Sequence, residues 1–387
     1  MKRKLLFIIF SVSLFAVLGL TSVNPAFPKM SEELGVKGSE IGLIISVFTL
    51  PGIILTFIFG ILSDRFGRKI ILSSSLVLYG VTGFFCSLTN NFNILLILRF
   101  LEGIGASSLG AMNVILIADF FSDAEQHKIL GYNNSVLNLG TAAFPVLGGF
   151  LAGYSWKYIF YLPLAAVPVG IWIWFALPEN QERKKINFKK YFLDIYHITL
   201  KNNLLPVLVI SLFSFIILFS SYLTYMPFLL KSKFNSSPLI IGICLSTVTV
   251  STAIISIFYG RISEIFSYKN IFIFIFITYA LSIFLMPFVT QWWLILFPAI
   301  LFGIAHGINL PHIQNYIIRR INPEHRGGII SLNRSVSQLG QSLGPILGGI
   351  IYALDPVKGV RWVFFAASLN AILILFFLLA FIKQNSD

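Results

Sequence analysis

The sequence predicts an all-α polytopic membrane protein, with twelve transmembrane helices in two pseudo-symmetric six-helix bundles. Three observations lead there. The 387 residues are 57% hydrophobic and only 11% charged, with a mean hydropathy of +0.86, whereas soluble domains carry about 25% charged residues. Apolar stretches of about 20 residues, enough to cross a hydrocarbon core about 30 Å thick, follow one another with short breaks. Glycines and prolines recur at a fixed offset of 200 residues.

Cutting at the charged and Pro-, Gly- or Asn-rich breaks places the spans at roughly 5–28, 41–62, 70–88, 93–118, 130–153, 157–177, 203–229, 238–259, 271–289, 292–318, 328–353 and 361–382. Lys2, Arg3 and Lys4 give the first the look of a signal peptide. It is too long for that, and Pro25 and Pro28 follow it instead of a small-residue cleavage site. It reads as a retained helix. The longest connection divides an N-terminal bundle (1–177) from a C-terminal bundle (203–387) by a cytoplasmic central loop (178–202). No room is left for a soluble domain. Cys86 and Cys244 lie in apolar spans without partner spacing, which argues against a disulfide or a metal site. No polar constellation suits membrane catalysis, so neither an enzyme nor a cofactor is expected.

The net charge of +13 would suit nucleic-acid binding, but its distribution does not. With the N-terminus inside, the inner segments hold nineteen of the 28 Lys and Arg, among them Lys2 to Lys4, Arg65, Arg68, Lys69, Arg183 to Lys185, Arg319 and Arg320. The outer segments hold seven: Lys29, Lys37, Lys157, Lys231, Lys233, Lys358 and Arg361. Arg99 and Arg334 remain for the membrane. The positive-inside rule then puts both termini in the cytoplasm, of a prokaryotic cell. The basicity is a topology signal, and no nucleic-acid partner is expected.

Sliding the chain on itself by 200 aligns Ile41-Gly42 with Ile241-Gly242, Ser46 with Ser246, Gly60 with Gly260 and Gly103 with Gly303. Gly140, Pro145 and Gly148-Gly149 fall on Gly340, Pro345 and Gly348-Gly349. Chance matches common residues but not the glycines and prolines of three spans in one register. Six spans per half is an even number, so the halves share orientation about an axis along the membrane normal. Parallel repeats of this kind hold substrate at their interface near the midplane.

The densest charge is the run Gly60-Ile-Leu-Ser-Asp64-Arg65-Phe-Gly67-Arg68-Lys69, which must lie at the membrane surface because charge is costly in hydrocarbon. A sparser copy begins at Gly260-Arg-Ile-Ser-Glu264. The fourth span carries Arg99, Glu102, Gly103 and Gly105; the eleventh carries Gly340-Gln-Ser-Leu-Gly344-Pro345-Ile-Leu-Gly348-Gly349. These patterns, in this order along the whole chain, resemble the major facilitator superfamily, and within it the twelve-helix drug:proton antiporters.

That resemblance implies a latch between the halves on the cytoplasmic side. Asp64 would meet the positive end of helix 11, and Arg65 an acid at the inner end of helix 4, where Asp119 stands. Gly60, Gly67, Arg68 and Lys69 complete the loop. A carboxylate at a helix N-terminus gains roughly 0.3–1 kcal/mol, and an Arg–carboxylate pair is often bidentate. Fixing topology alone requires neither Asp64 nor the glycines.

The resemblance gives Arg99 a part in proton coupling, with Glu102 standing where Gln is commoner. The two are i, i+3 neighbours on one helical face, inside the membrane, where an ionisable residue is a functional hypothesis by default. Glu102 is the only carboxylate well inside any span, hence the first candidate for the proton carrier; a purely structural ion pair is the alternative. His306, near mid-bilayer in the tenth span, is the second candidate, since His titrates near neutral pH. His312 ranks below it. Pro145, Gly344 and Pro345 mark helix-bending positions, where Pro frees a carbonyl and small residues allow close approach. Phe144 departs from the helix-5 antiporter pattern, so that inference leans on the loop and the fourth span.

Polar stripes at 3–4 spacing suggest the cavity: Asn134, Asn138, Thr141 and Pro145 on the fifth span, and Arg334, Gln338, Gln341 and Pro345 on the eleventh. The seventh adds Ser211, Ser214, Ser221 and Tyr225, and the tenth Asn309. With 39 Phe and few fixed polar groups, such a cavity suits lipophilic compounds better than a sugar. The expected function is export of small lipophilic compounds in exchange for protons by a monomer in the lipid bilayer. The alternative is proton-coupled export of one metabolite, such as a sugar, an amino acid or a siderophore. A non-transporting receptor of this fold would have no use for a latch.

Overall fold

The computed structural model describes residues 2–177, 188–355 and 358–384, and the described residues are helical almost throughout. In chain order the long helices are α1 (Lys2–Thr21), α2 (Leu43–Phe66), α3 (Arg68–Cys86), α4 (Phe92–Phe120), α5 (Asp123–Tyr154) and α6 (Trp156–Ala176). They are followed by α7 (Leu205–Phe234), α8 (Pro238–Ile257), α9 (Tyr268–Phe288), α10 (Trp292–Arg320), α11 (Pro323–Ala353) and α12 (Gly359–Gln384). Ten helices among the described residues are long and apolar enough to cross a membrane, against the twelve expected. The other two long helices are α2 and α11, the latter diluted by its polar stripe.

Local chemistry sets the helix ends. Asn91 caps α4 by accepting from the amides of Asn93 and Ile94, and Ser122 with Glu125 forms a capping box at the start of α5, each satisfying donors that a helix N-terminus leaves free. Between α2 and α3 the chain reverses at Gly67, whose φ of 98° is a conformation only glycine adopts without strain. Pro145 and Pro345 stand inside α5 and α11, as read from the sequence.

Packing repeats with the sequence. Helix α2 lies on α4 as α8 lies on α10, α3 on α6 as α9 on α12, and α1 on α5 as α7 on α11. Two pairings cross between the sets: α5 against α8, and α11 against α2. Adding six to each helix number converts one list into the other, which is the pseudo-twofold relation that the 200-residue offset requires.

One element was not expected. The stretch 178–202, read as a loop, contains the helix Phe188–Lys201, which buries Ile195 and Thr199 and packs on α11. Its apolar residues recur every three to four positions amid lysines, the pattern of an interfacial amphipathic helix. Residues 178–187 of the same stretch lie outside the described residues.

Candidate functional site

At the end opposite the Gly67 turn, the two halves are sealed by a symmetric set of close approaches. Gly42 of α2's lead-in rests on Pro345 of α11, where an added Cβ would lie 2.8 Å from the proline Cβ. Its repeat partner Gly242 on α8 rests on Pro145 of α5, and a Cβ there would overlap the Pro145 carbonyl oxygen. Gly149 meets the carbonyl of Pro238, and Gly349 that of Ser39. Ser342 Oγ donates to the Ser46 carbonyl at 3.0 Å, and Tyr225 Oη to the Gly38 carbonyl at 3.3 Å. The helix-bending positions Pro145, Gly344 and Pro345 therefore belong to packed seams: Pro145 and Pro345 between halves, and Gly344 against the Ile216 carbonyl of α7.

Toward mid-helix these seams turn polar. Gln338 sits against Gly52, and its Oε1 accepts from Thr56 Oγ1 at 3.3 Å. One turn nearer the Gly67 end, the Arg334 guanidinium lies against Gly110 of α4 while the residue stays exposed. On α5, Asn134 and Asn138 are exposed and Thr141 half-buried, its hydroxyl donating to the Leu137 carbonyl at 2.8 Å. Gln341 is half-buried on α11. Of the stripes read on the fifth and eleventh spans, Pro145, Arg334, Gln338 and Pro345 thus meet the other half.

The residues read on the seventh and tenth spans lie deeper. Ser214 and Asn309 are both fully buried and bonded to one another, Asn309 Nδ2 to Ser214 Oγ at 3.0 Å. Ser221 is buried and donates to its own helix at the Ile217 carbonyl, 2.7 Å away. It lies where α7 widens into a π-helical stretch, Leu218–Tyr225. Tyr225 is spent on the seal described above. These four side chains pack within the protein, whereas Asn134, Asn138 and Arg334 are exposed.

Arg99 and Glu102 form the most enclosed ionic site. Arg99 Nη1 donates to Glu102 Oε2 at 2.8 Å and Nη2 to the Gly19 carbonyl at 2.8 Å, with both side chains fully buried. The guanidinium also stands 4.1 Å from the Phe48 ring centroid, a cation–π contact. Glycine at 19 and 83 lets the site close, since a Cβ at either would lie 3.1 or 3.2 Å from Glu102 Oε1. That oxygen has no hydrogen-bond partner among the described residues, and neither has the hydroxyl of Tyr79. The pair is enclosed by α1, α2, α3, α4 and α6, away from the seam.

His306 is buried on α10, with Nδ1 2.6 Å from Tyr279 Oη and its ring among Phe215 and Phe302. His312 is held by Tyr259 Oη at 3.1 Å and the Tyr268 carbonyl at 3.2 Å. Neither histidine lies near Glu102.

The loop differs from expectation at one contact. Asp119 Oδ2 accepts from Arg68 Nε at 3.0 Å, not from Arg65, whose guanidinium lies 5.4 Å from the Phe66 ring centroid. Gly67 turns the chain so that Arg68 opens α3, which packs on α4, and this brings it beside the end of α4. Arg68 also reaches Ser63 Oγ at 2.8 Å. Both residues of the pair belong to one half. Lys69 lies over the Trp174 ring. The side chain of Asp64 and the environment of Gly60 lie outside the described residues.

Two features escaped sequence reading. Ser13, Asn113 and Asn133 form a buried cluster joining α1, α4 and α5, with Asn113 Nδ2 2.6 Å from Ser13 Oγ, 3.0 Å from the Ile9 carbonyl, and Ser13 donating to Asn133 Oδ1. Three isolated polar residues on separate spans give no one-dimensional signal. The glycines facing Arg334 and Gln338 were equally silent until the helices were placed.

A doubled six-helix arrangement with a polar seam defines a multi-pass membrane transport protein. The chain belongs to the Major Facilitator Superfamily, whose model matches residues 9–235 and 228–386. It is 26% identical over 365 residues to the Quinolone resistance protein NorA of Staphylococcus aureus (strain COL), covering 90% of each chain. It is likewise 26% identical over 365 residues to Multidrug resistance protein 1 of Bacillus subtilis (strain 168), covering 92% of this chain and 91% of that one. Among solved structures, a bacterial homologue of the lysosomal transporter Spinster superposes with a TM-score of 0.82 at 14% identity, over 98% of this chain and 96% of that one. A D-xylose-proton symporter superposes with a TM-score of 0.77 at 16% identity, over 95% of this chain and 97% of that one. The chain is a multi-pass protein of a bacterial cell membrane and resembles multidrug efflux proteins.

Proposed function

We propose that this protein exports small lipophilic compounds in exchange for protons, its halves 1–177 and 203–387 rocking about a central cleft. Both termini face the cytoplasm, as the charge bias requires. The seam closed by Gly42, Gly242, Gly149 and Gly349 is then the outer gate, and the conformation is inward-facing. The latch of Asp64 on α11 at the Gly67 end belongs to the opposite state.

The observation that carries this reading is Glu102: a carboxylate buried in the membrane with one oxygen unpaired, in a chain matching two drug-resistance proteins over nine-tenths of its length. Small movements of α1 or α2 around Gly19 and Phe48 would change the surroundings of the Arg99–Glu102 pair. Arg99 acts as the partner that Glu102 keeps until a proton arrives. His306, fixed by Tyr279, is the second proton-binding group. Asn134, Asn138, Thr141, Gln338 and Gln341 give the cleft a sparse set of polar contacts, with Ser214 and Asn309 supporting the wall behind. Few fixed donors suit many lipophilic substrates better than one sugar.

One proton moving down the potential supplies about 2.3 kcal/mol per 100 mV. That sustains a gradient of roughly 50-fold for a neutral compound. Everted membrane vesicles test the reading. Imposing an inward-acid pH gradient is expected to drive accumulation of a lipophilic dye, and collapsing it with a protonophore to release the dye. Accumulation that persists without the pH gradient would sink proton exchange, and no accumulation of any dye would sink the efflux reading.

A further inference from the structure

Two arginines stand in the membrane-spanning helices outside the end turns, and they are treated differently. Arg99 is neutralised by Glu102 and the Gly19 carbonyl. Arg334 has no hydrogen bond or ion pair with any described residue. It lies on α11 with its guanidinium against Gly110 of the other half, so close that a Cβ at 110 would overlap Nη2. Glycine there makes room for the head group. The residue is exposed, although it stands on the face that α11 turns to the N-terminal half. One turn along, Gln338 faces the same half, its Oε1 occupied by Thr56 while its amide nitrogen remains a free donor. An uncompensated charge at this depth marks a site whose counter-charge arrives from elsewhere.

We infer that Arg334 and Gln338 form an anion subsite in the cleft, which takes the carboxylate of an amphipathic monocarboxylate while its apolar body lies along the helices. The guanidinium presents a planar fork that matches a carboxylate by two parallel hydrogen bonds, and a lysine would not reproduce it. The Gln338 amide extends the donor row by one helical turn. This inference rests on the efflux reading and names its substrate class: lipophilic acids carried as anions. Phosphate monoesters and dianions fit less well, because no second cation shares the site among the described residues.

The test is calorimetric titration of the purified full-length protein with biphenyl carboxylate and with the matching neutral carboxamide. The acid is expected to bind roughly tenfold or more tightly than the amide, the scale of a charge-assisted pair. In Arg334→Gln the ratio falls to near one, and Arg334→Lys retains part of it. Gly110→Ala, which crowds the guanidinium without removing its charge, also lowers the ratio and serves if Arg334→Gln does not fold. A ratio near one in the unaltered protein, or a ratio kept by Arg334→Gln, overturns the subsite. If the amide and a lipophilic cation are bound and pumped without any preference for the acid, this inference fails and the efflux reading stands. If no probe is bound or moved, both fail.

Discussion

Gly242 of α8 rests on the backbone of Pro145 in α5 so closely that the glycine could not carry a side chain there without parting the two helices. Gly42 and Pro345 repeat the arrangement on the other side of the pseudo-twofold axis. Small residues at helix crossings allow this approach, and these two crossings hold the halves together at the end opposite the Gly67 turn. Gly242→Val places two methyl groups against a carbonyl oxygen, and the seam must open. The variant is expected to fold, since α8 keeps its contacts with α10, but to populate the far-open state. A cysteine placed at Ser246, behind the gate, would react faster with a membrane-impermeant thiol reagent applied from that side. Transport is expected to fall about tenfold or more, corresponding to about 1.4 kcal/mol of bias between states. An unchanged labelling rate would mean that this seam is not a gate.

Removing one partner of a buried ion pair leaves the other charge unpaired, at a cost of about 3–5 kcal/mol. Arg99→Met and Glu102→Gln are each expected to lower the melting temperature markedly. The double variant Arg99→Met/Glu102→Leu should recover most of the loss, because an apolar replacement of a buried pair is often neutral or better. Transport then separates structure from coupling. If the pair only braces helices, the recovered double variant transports; if Glu102 carries the proton, it binds dye yet shows no pH-driven accumulation. Thermal melts and everted vesicles on the same three variants decide it.

How far the sequence reveals this fold follows from where its signals come from. Helix ends and the doubling are local or periodic, so Gly67, Pro145, Pro345 and the 200-residue offset could be read in one dimension. The cross-half place of Gln338 was readable because it keeps helical spacing with Pro345 on α11. What was not readable is three-dimensional. Ser214 and Asn309 also look like cavity residues, yet both are buried, with Asn309 Nδ2 donating to Ser214 Oγ between α10 and α7. The resemblance sets Arg65 on Asp119, and the turn at Gly67 gives the contact to Arg68 instead. Tyr225 looks like a pocket residue and instead joins the seam between the halves at the Gly38 carbonyl. The helix Phe188–Lys201 is hidden in the sequence because a charged segment between apolar spans reads as a loop.

The Arg68–Asp119 pair makes a direct prediction about the loop. Both side chains are partly exposed, 17% and 21%, so the contact contributes no more than about 1 kcal/mol to stability. Its effect should show in transport instead. Arg68→Ala is expected to reduce dye efflux several-fold with a melting temperature close to that of the parent, whereas Arg65→Ala, whose guanidinium lies over Phe66, should do less. The reverse ranking would indicate that Arg65 takes over Asp119 when the halves close on that side. Measuring efflux and melting for the two single variants settles which arginine matters.

His306 tests whether coupling involves more than Glu102. Its Nδ1 lies 2.6 Å from the Tyr279 hydroxyl, inside a cage that includes Phe215 and Phe302. No carboxylate stands beside the ring among the described residues. His306→Gln keeps one hydrogen bond to Tyr279 and removes the titrating group. If coupling belongs to Glu102 alone, the variant accumulates dye with the parent's dependence on pH and loses only a modest amount of rate through altered packing. If His306 is a working second site, its midpoint moves or the pH response flattens while Glu102 is intact. Tyr279→Phe separates the two causes: it deletes the hydrogen bond but leaves the imidazole free to titrate, so a packing role makes the two variants alike, and a proton-binding role makes them differ.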